Sequence, residues 1–149
     1  MYKDEAFYTG ESFHRVGLDI VPNDGLDNDT DDGHWFIPSI VNLAFACELY
    51  IKSLISQGEN VPPKIHRWND LFKKRPDLAD KLKNAPEFKG DEELDNKIEE
   101  GGKVFVDWRY ICEHDRTKSV DIVFLENFAQ VLHNLAKDEV EKFLNADIK

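Results

Sequence analysis

The sequence predicts an all-α protein, an antiparallel bundle of four to five helices with short helices inserted between them. Three observations lead to this prediction. Apolar residues recur at helical spacing over long stretches in the middle and at the end of the chain. No segment of any length alternates apolar and polar residues as a half-buried strand does. The length of 149 residues suits one ordinary domain, so we expect a single helical domain over residues 1–149.

The beginning of the chain predicts one helix followed by an exposed loop. Residues 3–18 place Phe7, Phe13 and Val16 at helical spacing, although two glycines lower the helix propensity. Residues 22–33 combine turn residues with a run of carboxylates and have little to bury. The alternating aspartates of this loop suggest a cation site, but the glycine and the final ligand position do not fit an EF-hand. A solvated acidic loop is therefore favoured.

Residues 37–57 predict the central helix of the bundle. Pro38 suits its first turn, and Gly58 lies just past its end. This segment is apolar on nearly every side, as expected for a helix surrounded by others. Glu48 falls inside the apolar stripe and therefore needs a partner. Lys52, one turn further on, can bridge to it, and an arginine from elsewhere in the chain is the better partner if Glu48 lies deep in the core.

Two short amphipathic helices are predicted next. Residues 65–74 (IHRWNDLFKK) separate apolar from basic side chains at helical spacing and predict a helix that covers the core. The apolar side consists of Ile65, Trp68, Leu71 and Phe72. His66 is expected either to cap this helix or to bond a core carboxylate. Residues 76–86 predict a further turn or two of helix carrying Leu78 and Leu82.

The last part of the chain predicts two long helices. Residues 91–113 form the first, which we expect to be broken or bent at Gly101-Gly102. Its inward residues are Leu94, Ile98, Phe105, Trp108 and Cys112. Residues 120–146 form the second, with Ser119 as its N-cap. A sustained apolar stripe along this second helix predicts that it packs in the core.

Charge and cysteine content limit the classes of function. A net charge of -11 argues against binding nucleic acid with the whole surface. Residues 64–83, however, hold seven Lys or Arg against three Asp, which allows a local basic face. Cys47 and Cys112 lack metal-type spacing, so we expect buried thiols, no metal and no other cofactor. Without an export signal or a membrane-length apolar run, we expect a cytoplasmic protein with no membrane partner.

The segment Phe105 to His114 (FVDWRYICEH) carries the candidate catalytic residues. Arg109 keeps its charge and needs a phosphate or a carboxylate, for which Glu48 or the nearby Glu113 is available. On a straight helix His114 points about 140° away from Arg109. The two share a ligand only if the helix ends or distorts there, or if a second subunit completes the site. Otherwise Arg109 pairs with Glu48, and His114 is an exposed residue at a helix end.

Basic residues on either side of this segment are candidates for contact with RNA. They are Lys64, Arg67, Lys73, Lys74, Arg116 and Lys118. Ordinary solvated charges are the alternative interpretation. The other histidines, His14, His34 and His133, show no spacing that indicates a metal site.

Three stretches together resemble the HEPN family, the higher-eukaryote and prokaryote nucleotide-binding domains. They are AFACELYIKSLI on the apolar helix, the His66 segment leading to Leu71-Phe72, and FVDWRYICE before the final helix. The resemblance covers roughly residues 37–143 and is to the small bacterial stand-alone members. It implies a bundle of four or five helices that forms homodimers. For many members it also implies metal-independent endoribonuclease activity in toxin–antitoxin or phage-defence systems.

The family signature is an arginine followed after four to six residues by a histidine. The resemblance therefore implies that Arg109 binds phosphate and His114 acts as general base. Tyr110 departs from the polar residue that often follows the arginine. The implied partners are RNA or a nucleotide and an antitoxin-like protein, and no DNA partner is expected. The alternative is a non-catalytic bundle that binds a nucleotide or a protein.

Overall fold

The computed structural model describes residues 2–20, 32–56, 64–109 and 122–147, with side chains for residues 2–19, 38–56, 64–104 and 122–146. Within these ranges every regular element is a helix. The six helices are α1 Tyr2–Ile20, α2 Asp32–Ile55, α3 Trp68–Phe72, α4 Asp77–Lys83, α5 Leu94–Arg109 and α6 Ile122–Asp147. The predicted all-α bundle, with long helices and short ones inserted, is confirmed.

Helix α2 lies at the centre of the bundle, where it packs against α1, α3, α5 and α6. The residues of its fully buried core are Leu43, Ala44, Ala46, Cys47, Tyr50, Ile51 and Leu54. The segment Pro38–Ile55 is long and apolar enough to cross a membrane, but 67% of it is buried inside the protein. Such burial is typical of the core helix of a soluble protein.

The start of α2 differs from the prediction. The helix begins at Asp32 and not at Ile37, so Pro38 lies inside it and not in its first turn. The prediction placed Pro38 in the first turn because a proline inside a helix costs about 3 kcal/mol. The residues that follow Pro38, Ser39 and Ile40, are buried. The part of the acidic loop at residues 21–31, with its candidate cation site, lies outside the described residues.

Helix α1 runs antiparallel to α2 and approaches it closely at its two glycines. A Cβ atom on Gly10 would lie 2.8 Å from Cε1 of Tyr50, and one on Gly17 would lie 2.9 Å from Cγ of Leu43. The glycines that lower the helix propensity are thus needed for packing. Val16, predicted to face inward, is 46% exposed. The inward side of α1 is instead formed by Lys3, Ala6, Phe7, Gly10, His14 and Gly17.

The two short helices are confirmed, although α3 is shorter than predicted. Trp68, Leu71 and Phe72 are buried and Ile65 is half-buried, as the amphipathic pattern predicts. Leu78 and Leu82 of α4 are fully buried. The chain then turns towards α5 at Gly90, which has a positive φ of 82°, a conformation that only glycine adopts without strain.

For residues 91–113 we predicted a helix that is broken or bent at Gly101-Gly102; the break is wrong, because α5 runs continuously through both glycines, and the bend stays a prediction. The Trp68 indole lies against these residues. A Cβ on Gly101 would lie 2.9 Å from Cη2 of the indole and closer still to Cζ3. The glycines therefore serve the close approach of α3 to α5. Helix α6 matches its prediction within two residues at its start and one at its end.

Candidate functional site

A carboxylate is buried in the middle of α2. The side chain of Glu48 is 1% exposed, and its Oε1 atom lies 3.0 Å from Nζ of Lys52. This contact confirms that Lys52 bridges to Glu48, whereas the arginine predicted as the better partner of a deep carboxylate stays a prediction. Glu48 is therefore a buried carboxylate in contact with an ammonium group at the centre of the bundle.

His66 supplies the second contact to this carboxylate. Its Nδ1 atom lies 2.6 Å from Oε1 of Glu48, which confirms the predicted bond to a core carboxylate. An ionised carboxylate only accepts hydrogen bonds, so Nδ1 carries the hydrogen and donates it. The side chain of His66 is 54% exposed. The buried anion thus orients an imidazole that remains accessible to solvent.

The other carboxylate oxygen of Glu48 differs from Oε1 in its hydrogen bonding. Oε2 is buried and has no hydrogen-bond partner among the residues that the structure describes. A buried polar atom without a partner costs about 1–3 kcal/mol. The negative charge also reaches α1: burial raises the pKa of Tyr2, and Glu48 raises it further. Tyr2 is therefore a neutral phenol in the field of this carboxylate.

The predicted catalytic residues lie at the edge of the described structure. Arg109 is the final residue of α5, and its side chain is not among those described. His114 lies outside the described residues, as do Tyr110, Glu113, Arg116 and Lys118. The pairing of Arg109 with Glu48 and the orientation of His114 therefore stay predictions. Glu48 already has two cationic or donor partners in Lys52 and His66.

Four of the predicted RNA-binding residues belong to one exposed segment around α3. Lys64, Arg67, Lys73 and Lys74 are all exposed. Lys73 lies 3.4 Å from Asp70 in a surface pair that leaves its ammonium group largely in water. We call residues 64–74 the basic segment. It brings four cations to the surface, and two of them, Lys64 and Arg67, lie within two residues of His66 in sequence.

Arg75 follows the basic segment but has a structural role. It forms a two-pronged contact with Asp77, at 3.2 and 2.7 Å, and donates to the carbonyl oxygen of Leu54 and to Glu139 at 2.8 Å. The bonds to Asp77 are the main cause that raises the pKa of Arg75. Lys3 of α1 bonds the same Glu139 at 3.2 Å. These contacts fix the end of α2 to α1 and α6.

A second histidine cluster lies between α1, α2 and α6. Tyr50 is on α2, about 200° around the helix from Glu48. Its hydroxyl group lies 2.9 Å from Nδ1 of His14, and Nε2 of His133 lies 2.8 Å from Oε2 of Glu11. These groups border a pocket of about 210 Å³. The sequence interpretation gave His14 and His133 no role, because neither has a partner nearby in sequence.

The second cluster is electrically neutral at its buried end. Burial lowers the pKa of His14, the charge of His133 lowers it further, and Glu11 opposes both effects. Burial also raises the pKa of Tyr50, so its phenol stays protonated. Within residues whose side chains are described, no group of three or more His, Cys, Asp or Glu could hold a metal ion. The cluster is therefore a hydrogen-bonded packing site.

Cys47 also lies in the core and shows no sign of reactivity. It is fully buried, and burial raises the pKa of its thiol far above the usual range. The thiol is therefore protonated and shielded from oxidants. The other cysteine, Cys112, lies outside the described residues.

Comparisons with models of known protein families, with curated proteins and with solved structures found no match to this chain. The fold and site define a helical bundle with a buried carboxylate that orients an exposed histidine. The resemblance to the HEPN family rests on the three sequence stretches described above and stays a prediction.

Proposed function

We propose that the protein is a HEPN-type, metal-independent endoribonuclease, cytoplasmic and homodimeric, of the toxin–antitoxin or phage-defence kind. Arg109 binds the scissile phosphate, and His114 is the general base. The observation that carries the proposal is the packing of the basic segment directly against α5, the helix that bears Arg109. It supports one continuous RNA-binding surface on an otherwise acidic protein.

The contact between the basic segment and α5 is made by Trp68 and the two glycines. From Gly102 to Arg109 is seven residues, or about 10 Å along a helix. The backbone of Arg109 therefore lies about two helical turns along α5 from the point where Trp68 of the basic segment packs. A net charge of -11 makes such a local surface necessary, because nucleic-acid binding depends on neutralising phosphates.

The chemistry requires no metal ion. His114 removes the proton from a ribose 2′-hydroxyl, and the 2′-oxygen attacks the neighbouring phosphorus. Arg109 stabilises the negative charge that builds on the phosphoryl oxygens. The bond from phosphorus to the 5′-oxygen breaks, which leaves a 2′,3′-cyclic phosphate and a 5′-hydroxyl. General base catalysis of this kind contributes about 10²–10⁴-fold.

The test is incubation of the purified protein with RNA in excess chelator. We expect cutting with cyclic phosphate ends, reduced about 100-fold or more by His114→Ala or Arg109→Ala. Lys142→Ala, at an exposed cation on α6, is the matched control and should cut like the parent protein. Cutting that survives His114→Ala, or no cutting of any RNA, would contradict the mechanism.

The second candidate function is a non-catalytic bundle that binds a nucleotide or an antitoxin-like protein. The buried Oε2 of Glu48, without a partner in the described part of the chain, favours it. In this case Arg109 forms an ion pair with Glu48, and Arg109→Ala would lower the free energy of unfolding by about 3 kcal/mol or more. Urea denaturation measures the change, with Arg109→Lys as the charge-preserving control. An Arg109→Ala variant as stable as the parent would refute this second candidate.

A further inference from the structure

His66 is an exposed histidine whose ring is held at one nitrogen. Its Nδ1 atom lies 2.6 Å from Oε1 of Glu48, whereas Nε2 makes no hydrogen bond to any residue whose side chain is described. In this contact the hydrogen of the neutral ring lies on Nδ1, so Nε2 carries the lone pair. A nitrogen with a lone pair is the nucleophilic atom of an imidazole. The contact with Glu48 therefore selects which atom of His66 can react.

Exposure to solvent differs sharply within this pair. The side chain of Glu48 is 1% exposed, whereas that of His66 is 54% exposed. Lys52, which also contacts Oε1, is 12% exposed and thus largely shielded. A reagent in solution can reach the imidazole but not the carboxylate that orients it. An accessible histidine held by a buried acid is an arrangement that enzymes use for reactive imidazoles.

A new bond at Nε2 would place a positive charge on the ring of His66. A ring that is substituted at Nε2 and keeps its hydrogen on Nδ1 is an imidazolium. The carboxylate of Glu48, 2.6 Å from Nδ1, stabilises that charge more than it stabilises the neutral ring. Glu48 therefore favours the product of a reaction in which Nε2 is the nucleophile.

The cations beside His66 indicate the chemical class of the incoming group. Lys64 and Arg67 are exposed and lie two residues before and one residue after it. Lysine and arginine bind phosphoryl oxygens through charge-assisted hydrogen bonds. A phosphoryl group carries about two negative charges, so these cations favour it over an uncharged acyl or alkyl group. Its addition would also change the charge of the basic segment.

We propose that His66 is a phosphoacceptor, phosphorylated at Nε2 by an acyl phosphate, the mixed anhydride of a carboxylic acid and phosphoric acid. The lone pair of Nε2 attacks phosphorus, and the bond between nitrogen and phosphorus forms. The bond from phosphorus to the acyl oxygen breaks, and its electron pair leaves with the carboxylate. That carboxylate needs no proton, so the step needs no general acid. Glu48 stays bonded to Nδ1 and is a positioning residue.

The test is incubation of the purified full chain with acetyl phosphate, followed by phosphorus NMR and mass spectrometry of its peptides. We expect one phosphoryl group per chain, on Nε2 of His66. The same chain in urea is the internal control, because unfolding removes the contact with Glu48. His66 should react at least about 10-fold faster in the folded protein than in urea.

Variants separate the roles of the neighbouring side chains. His66→Gln should abolish the labelling, and Glu48→Gln, which removes the charge behind the ring, should slow it about 10–100-fold. Lys64→Gln combined with Arg67→Gln should slow it as well. Both cations are exposed, so this double variant keeps the test decisive if circular dichroism shows that Glu48→Gln does not fold. Lys89→Gln, at an exposed cation outside the basic segment, is the control and should react like the parent.

Four results would overturn the inference. The first is labelling of His66 that is no faster in the folded protein than in urea, and the second is labelling at Nδ1. The third is a folded Glu48→Gln variant that reacts as fast as the parent, and the fourth is an unchanged rate in the double variant. The test uses no RNA, so its outcome is independent of the proposed ribonuclease activity.

Discussion

The two histidine sites on α2 use the same residue types in opposite ways. In the cluster between α1, α2 and α6, His14 and His133 bond to Tyr50 and Glu11, and the rings lie inside the bundle. At the other site the acid is buried and the histidine is half exposed. The first site places its polar groups between helices, where they join α1 and α6 to the core. The second places a charge in the core and a ring in solvent.

Because of this difference, the two sites contribute unequally to the stability of the fold. Ordinary hydrogen bonds between buried neutral groups contribute about 0.5–1.5 kcal/mol each to stability. A buried ion pair such as that of Glu48 and Lys52 contributes little or nothing, because desolvation offsets the attraction between the charges. Stability therefore explains the cluster around His14 and does not explain Glu48. Residues that a protein keeps at a cost in stability are candidates for function.

The largest loss of stability in this comparison is expected from substituting a glycine at which two helices approach each other closely. Gly101→Ala places a methyl group against the indole of Trp68, which is 1% exposed and packs on Phe128 with ring centroids 5.0 Å apart. Overpacking costs about 1–3 kcal/mol, against about 1 kcal/mol gained in helix propensity. We expect a net loss of up to about 2 kcal/mol in urea denaturation. Because Trp68 holds the basic segment against α5, RNA cutting should fall as well.

Gly10→Ala is the matched variant on the other side of α2. Its methyl group would meet the ring of Tyr50, which borders the pocket of about 210 Å³ and has room to move. The loss of stability should therefore be smaller, and RNA cutting should not change. Glu99→Ala, at an exposed position of α5, controls for helix propensity. Equal losses for the two glycine variants would show that the packing on the two sides does not differ as described.

Most of the fold could be predicted, because apolar periodicity and burial follow the same rule. The core stripes of α2 and α6 and the covering role of α3 were visible from spacing alone. The errors arose where local propensity was taken as decisive. Helix propensity alone places Pro38 in the first turn and a break or bend at Gly101-Gly102, yet α2 begins at Asp32 and α5 continues through the two glycines, where the Trp68 indole packs. Such contacts join residues far apart in sequence.

Less of the candidate site could be predicted. A glutamate in an apolar stripe showed that Glu48 needs a partner, and Lys52 followed from helical spacing. A bond from His66 to a core carboxylate is only one of two alternatives in the sequence, because His66 and Glu48 are 18 positions apart. The pairing of His14 with Tyr50 left no signal, since those residues are 36 positions apart. Contacts within one helix can be inferred from spacing, whereas contacts between helices depend on their packing.

A smaller effect is expected in the pH dependence of stability. It concerns the histidine cluster between α1, α2 and α6. His14 is packed with Tyr50 from α2 and His133 from α6, with Glu11 and Arg15 nearby on its own helix. Its pKa in the folded protein lies below the ordinary value of 6.5, chiefly because burial disfavours the charged ring. The contribution of His14 to the free energy of unfolding is therefore fully present above pH 6.5, where its ring is neutral in both the folded and the unfolded protein.

As the pH falls through 6.5, the unfolded chain binds a proton at His14 before the folded protein does, and stability is lost. Urea denaturation at about pH 7.5 and 5.5, on either side of the ordinary histidine pKa, should show this loss in the parent and in Ser12→Ala, an exposed variant on the same helix. His14→Gln keeps a hydrogen-bonding group near Tyr50 but cannot titrate, so its loss should be smaller. If His14→Gln lost as much stability as the parent on acidification, the loss would not arise from protonation of His14. The contrast between the two histidine sites would then rest only on the exposure of their side chains.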